Sequence, residues 1–150
     1  MMFSMLANLL SISAFMCERV LVEQDGVTSA IRIIENVNLV GDSMGQLNVI
    51  VIAKNQDRAS GKWIARVFIK ESDGRATEAF GKPLTIHYEG VGSAPFASAM
   101  FVLTFSVGPS TKSGLNWFPL LLDEEVAIRI PFTVSRIQPH DLLTPPQKPE

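Results

Sequence analysis

The chain has 150 residues, 47% of them hydrophobic and 19% charged, with a net charge of -2 and a mean hydropathy of +0.22. That length suits one domain with its own core, and the weak charge, with no basic run or strip, excludes the electrostatic footprint of a nucleic-acid binder. A single cysteine, Cys17, rules out an intramolecular disulfide and sets a reducing cytoplasm as the expected compartment.

Residues 1–17 carry no charged side chain. They lack the positive start and the small-residue cleavage site of a secretion signal, and Phe15-Met16 beside Cys17 fits a lipoprotein site badly. Ser4, Asn8, Ser11 and Ser13 interrupt the run, so it is short and polar for a spanning helix. Residues 1–11 are expected to form a docked or frayed apolar segment, with export or membrane contact as the alternative.

The first hairpin signal is Asp25-Gly26 between two runs rich in β-branched residues, a pair suited to a two-residue turn. Parity then treats residues 27–39 as one half-buried strand. Val27, Ile31, Ile33, Val37 and Leu39 face the core, and Thr28, Arg32, Asn36 and Asn38 face away. Residues 47–53 are apolar on nearly both faces, which marks a central strand. Trp63, Ala65, Val67 and Ile69 alternate with Arg66 and Lys70, and Ser72-Asp73-Gly74 makes a turn.

Further on, Leu84, Ile86 and Tyr88 alternate with Thr85, His87 and Glu89, and residues 90–95 form a loop. Phe101, Leu103, Phe105 and Val107 define the next buried face. The last hairpin runs from 117 to 122, turns at Asp123-Glu124, and returns with Val126, Ile128, Ile130, Phe132 and Val134 inward. Pro131 has no N–H to give a ladder, which predicts an edge or a bulge there. Residues 138–150 hold four prolines and read as a flexible tail.

Seven or eight strands with no long amphipathic helix predict an all-β domain over residues 12–137. The expected form is an antiparallel two-layer β-sandwich, immunoglobulin-like or similar, with a small β-barrel as the alternative.

Motifs for chemistry are sparse. Gly41-Asp42-Ser43-Met44-Gly45 matches the nucleophile-elbow pattern, but a β-rich run follows it where a hydrolase needs a helix. An esterase would need Ser43 with Asp123 and His140, the only triad in hydrolase order, and His140 lies in the tail. Gly108-Pro109-Ser110-Thr111-Lys112-Ser113 lacks the glycine before lysine of a phosphate loop, and Gly90-Val91-Gly92 is too short to cradle a dinucleotide. Cys17, His87 and His140 are too far apart for a metal motif. Asp25, Asp42, Asp57, Asp73 and Asp123 are each explained by turn chemistry, with a shared calcium site the alternative. Asp123-Glu124-Glu125 are acids on a solvated turn, and Cys17 reads as a small buried hydrophobe.

Phe15-Met16-Cys17-Glu18-Arg19-Val20, followed by Glu23-Gln24-Asp25-Gly26 and Ser29-Ala30-Ile31-Arg32-Ile33-Ile34, resembles the start of a bacterial family of uncharacterised all-β domains. Leu121-Leu122-Asp123 turning into Ile130-Pro131-Phe132-Thr133-Val134 is similar to that family's final hairpin. The resemblance implies a sandwich without an export signal and brings no catalytic residues. The leading functional expectation is a non-enzymatic module acting through a protein partner or self-association. A small-molecule or calcium-binding sandwich using the loops at Asp25, Asp57, Asp73 and 90–95 is the alternative, and an esterase the remote one. No catalytic, cofactor or metal residue is assigned.

Overall fold

The computed structural model describes residues 10–24, 26–57, 59–90, 92–109 and 111–137. The N-terminal segment before Leu10, Asp25, Val91, and the 138–150 tail with His140 lie outside the described residues, as do the expectations placed on them. Those described form ten strands and no helix: β1 (Leu10–Val22), β2 (Thr28–Ile33), β3 (Asn36–Val40), β4 (Gly45–Asn55), β5 (Gly61–Lys70), β6 (Ala76–Glu78), β7 (Leu84–Gly90), β8 (Ala97–Val107), β9 (Gly114–Leu122) and β10 (Glu125–Ile137). The all-β expectation holds, with more strands than seven or eight.

The strands hydrogen-bond in the order β2-β1-β4-β8-β7-β5-β9-β10-β3, with β6 added to β5. All pairs are antiparallel except β3 with β10. β7 is the corner of this path. It pairs with β5 over Gly61–Ala65, yet touches β8 only through Glu89↔Ser98 and Gly90↔Ala97, so the sheet bends there. The outcome is a curled half-barrel in which β1, β4 and β8 face β5, β9 and β10. Among the described residues the ladder stays open, because β2 and β3 each have a strand on one side only.

The core lies inside the curl. Leu47, Val49 and Val51 of β4 and Leu103, Phe105 and Val107 of β8 meet Phe118, Leu120 and Leu122 of β9 and Phe132 and Val134 of β10. Phe105 joins the halves by stacking on Phe118 at 4.8 Å and meeting Phe132 edge-on at 6.2 Å. β4 is central, between β1 and β8, and its outward Ile50 is only 2% exposed. The inward parities expected for Trp63, Ala65, Val67, Leu103, Phe105 and Val107 are all observed as burial.

Residues 27–39 depart from the single strand expected of them. They make two strands at opposite ends of the sheet path. At Ile34 and Glu35 the chain leaves one edge for the other: the Ile34 amide donates to the Met16 carbonyl (2.9 Å), and the Thr133 amide donates to Glu35 (3.0 Å). Val37 and Leu39 are buried as expected, but Val27 is 52% and Ile33 64% exposed, and Ile34 packs on the core instead. Arg32, at φ 56°, breaks the alternation just before the crossing.

Two turns also differ in detail. The Glu23 amide donates to Val27 (2.8 Å) and the Gly26 amide to Glu23 (2.9 Å), so the first hairpin has a three-residue loop with Gly26 at φ 83° rather than a two-residue turn. In β10 the register shifts between Val126 and Ile128, which turns Val126 outward at 54% exposure. Pro131 satisfies its expectation locally: β3 pairs with β10 only from Thr133 onward, so Pro131 borders β9 alone.

Candidate functional site

Ser43 sits in the turn between β3 and β4, with no helix after it. Its Oγ accepts the Val40 amide (3.1 Å) while its own amide donates to the Val40 carbonyl (3.0 Å), a local turn bond that occupies the hydroxyl. His87 lies on β7 near the opposite end. The stretch of β8 from Met100, level with His87, to Val107 separates the two, roughly 23 Å at ~3.3 Å per residue. Asp123 is engaged elsewhere, its Oδ1 accepting the Ile64 amide at 2.9 Å. The described members of the triad are therefore not brought together.

The calcium set is divided in the same way. Asp57 follows β4 and Asp73 follows β5, placing them beyond opposite ends of β5. Each bonds its own turn: Asp57 Oδ1 accepts the Ala59 amide (3.1 Å) and Asp73 Oδ1 the Arg75 amide (2.9 Å). Among the described residues no three His, Cys, Asp or Glu side chains converge as a metal site would require. Cys17 is fully buried on β1, and desolvation pushes its thiol pKa above the ordinary value.

Three polar residues that parity places on the core side do come together at one end of the curl. Arg136 continues the inward face of Phe132 and Val134, and its guanidinium donates to the carbonyls of Gly41 (3.1 Å), Thr111 (3.2 Å) and Gly108. It thereby ties the Ser43 turn to the loop before β9. Glu71 follows Trp63–Ile69 on the same face: its Oε1 accepts the Lys112 amide (3.3 Å) and its Oε2 lies 3.3 Å from Arg75 Nη2. Asn116, 0% exposed, donates from Nδ2 to Lys112 (3.0 Å) and Gly114 (3.1 Å). Both glycine-containing motifs are thus pinned as structural loops. A charged or amide residue in phase with a buried face was the available signal, and the sequence reading missed it.

The exposed apolar surface is concentrated differently. β1 pairs with β4 only from Leu10 to Cys17 and with β2 from Cys17 to Val22, so residues beyond Cys17 and all of β2 overhang the sheet as a two-stranded arm. Leu21 (50%), Val22 (70%), Val27 (52%) and Ile33 (64%) are exposed on it. The arm carries the Arg32–Glu18 ion pair at 3.4 Å and borders an open cleft of about 840 Å³, whose far wall is Asn36, Asn38 and Gln46.

A second surface lies on the outer face of β5, β9 and β10. Half-buried Trp117 has Lys70 opposite it on β5 and Pro131 on β10, and Pro119 has Arg129. Lys70, Trp117, Pro119 and Arg129 line, together with exposed Leu115, a groove of about 340 Å³. A third cleft, at the β7 corner, exposes His87 beside Lys62 and Ser98, while Tyr88 turns to the other face and stacks on Trp63 at 4.1 Å.

No helix among the described residues is long and apolar enough to cross a membrane. No family model matches the chain, and no curated protein matches it. Solved structures are similar to it at low identity. The CARDB domain of a Pyrococcus furiosus protein, in complex with di-metal ions, is 15% identical over 90% of this chain and 100% of that one, with a TM-score of 0.46. A β-glucosidase from Listeria innocua in complex with glucose is 13% identical over 83% of this chain, with a TM-score of 0.47. An alkylpurine DNA glycosylase from Pseudomonas fluorescens, bound to DNA with an abasic-site analogue, is 15% identical over 67% of this chain, with a TM-score of 0.42. The chain spans 16% of the β-glucosidase and 27% of the glycosylase.

Proposed function

We propose that this chain is a non-enzymatic β-module of the immunoglobulin-like, two-layer kind, which works by engaging another polypeptide through the β1–β2 arm. The observation that carries this reading is the arm itself. A two-stranded ribbon is marginal in water unless a further surface covers it, and this one displays Leu21, Val22, Val27 and Ile33 while the core is already filled from the other strands. Exposed aliphatics scattered singly are ordinary, but here four lie on one short overhanging hairpin. The two-layer description is supported by Phe105 of β8 packing against Phe118 and Phe132 across the core.

The test is site-specific photo-crosslinking in the producing cell. A photoreactive residue at Val22 is expected to yield a discrete cross-linked species, and one at Lys62, exposed on β5, is expected to yield none. Equal patterns from both positions would overturn the reading.

A further inference from the structure

The outer face of β5, β9 and β10 gathers a tryptophan between two cations that no acid answers. Lys70 of β5 lies directly opposite Trp117, and Arg129 of β10, opposite Pro119, is its diagonal neighbour, a spacing of about 7–8 Å that long side chains bridge. Both cations line the groove with Leu115, Trp117 and Pro119. Arg66, on the same face of β5, takes Glu78 at 3.5 Å and Glu124 at 3.6 Å. Among the described residues neither Lys70 nor Arg129 has an ion-pair partner. Glu71 is the one acid on the groove wall, and its carboxylate is held by the Lys112 amide and Arg75.

We infer that this groove binds a saccharide bearing carboxylates, a uronate chain. Leu115, Trp117 and Pro119 make an apolar floor on which the C–H face of a pyranose ring can stack, and among the described residues no cation lies over the indole to block it. Lys70 and Arg129 stand on the two flanking strands, one on each side of the stacked ring. Successive carboxylates of the chain can therefore reach both, and the guanidinium supplies the paired donors that suit a carboxylate. At about 340 Å³ the groove has the size of a small-ligand site. An acidic peptide fits it less well. β9 is paired with β5 on one side and β10 on the other, so this face offers side chains and no free ladder on which an extended peptide could build. The site is separate from the β1–β2 arm and does not rest on it.

The experiment is isothermal titration calorimetry on the full chain with three probes: trigalacturonate, the neutral trisaccharide maltotriose, and triglutamate, which has the charge without the rings. The expected result is binding of trigalacturonate that weakens as salt rises, with the other two probes at least tenfold weaker. Intrinsic fluorescence should change on binding, because Trp63, the second of the two tryptophans, is 2% exposed and stacked on Tyr88. Trp117→Ala and the double variant Lys70→Gln with Arg129→Gln should each weaken binding at least tenfold, and Lys62→Gln, at the β7 corner, should leave it unchanged. If circular dichroism shows Trp117→Ala unfolded, the double variant, which alters only exposed polar side chains, decides. No binding of trigalacturonate, equal binding of maltotriose or triglutamate, or binding unaffected by the double variant would each overturn the assignment.

Discussion

At the scale of single residues, burial and backbone conformation set the expected behaviour. Cys17 is 0% exposed, and desolvation pushes its thiol pKa above the ordinary value. A raised pKa keeps the thiol protonated through neutral pH, and the thiolate is the reactive form. Cys17 is therefore expected to resist a thiol reagent at pH 8 in the native chain and to react at once in urea. Fast native labelling would show that β1 opens. The same shift makes stability fall as pH rises above the unfolded value, because the unfolded thiol releases its proton first. Gly61 is constrained by a neighbour: a Cβ there would overlap the Tyr88 hydroxyl and ring, pushing Tyr88 off Trp63. Gly61→Ala should cost about 1–3 kcal/mol, read as a lower urea midpoint with a changed near-ultraviolet signal.

Arg136 acts between loops. Removing its guanidinium in Arg136→Met leaves the carbonyls of Gly41, Gly108 and Thr111 without that donor, an expected loss of about 1–3 kcal/mol. Faster amide exchange in both loops together would show the tie, whereas exchange faster in only one would refute it.

At the scale of elements, strand faces were legible wherever a strand stayed in the ladder over the core without a break in its alternation. β5, β8 and β9 follow strict alternation because each is held straight in the ladder with one face on the core. The alternation failed in two places. Residues 27–39 keep a period of two on paper, but the chain reaches the core strands only after changing edges at Ile34 and Glu35, and the overhang of the arm before that point exposes Ile33. In β10 the shift between Val126 and Ile128 does the same over a shorter distance. Neither is visible in a hydrophobic pattern, since both depend on which strand lies alongside.

The β9–β10 turn offers a test at this scale. Asp123 and Glu124 both adopt positive φ, 49° and 69°, where a side chain is strained. Asp123 also accepts the Ile64 amide and is best kept. Glu124 contributes only an exposed ion pair with Arg66 at 3.6 Å, worth little in water. Glu124→Gly is thus expected to stabilise the chain by about 0.5–1 kcal/mol, the relieved strain exceeding the lost pair. A lower melting temperature would mean that the Arg66 contact matters more than the strain.

At the scale of the whole molecule, a curled sheet with one core should unfold as one unit, because neither half buries its inner face alone. Phe118 is fully buried and stacked on Phe105 from the other half. Phe118→Ala should cost about 3–5 kcal/mol and leave the near- and far-ultraviolet transitions coincident; two separated transitions would show that the halves fold independently. By itself the sequence determined the strand class, most inward faces, the turn at Ser72-Asp73-Gly74 and the structural character of the Ser43 motif. These follow from local chemistry: side-chain alternation, turn propensity and the missing helix. Only the tertiary structure decided that β2 and β3 lie at opposite edges, that Arg136 ties two loops, and that the first hairpin overhangs as an arm with an open edge. Those outcomes rest on contacts between residues distant in sequence, where many partners satisfy the same pattern and packing selects one.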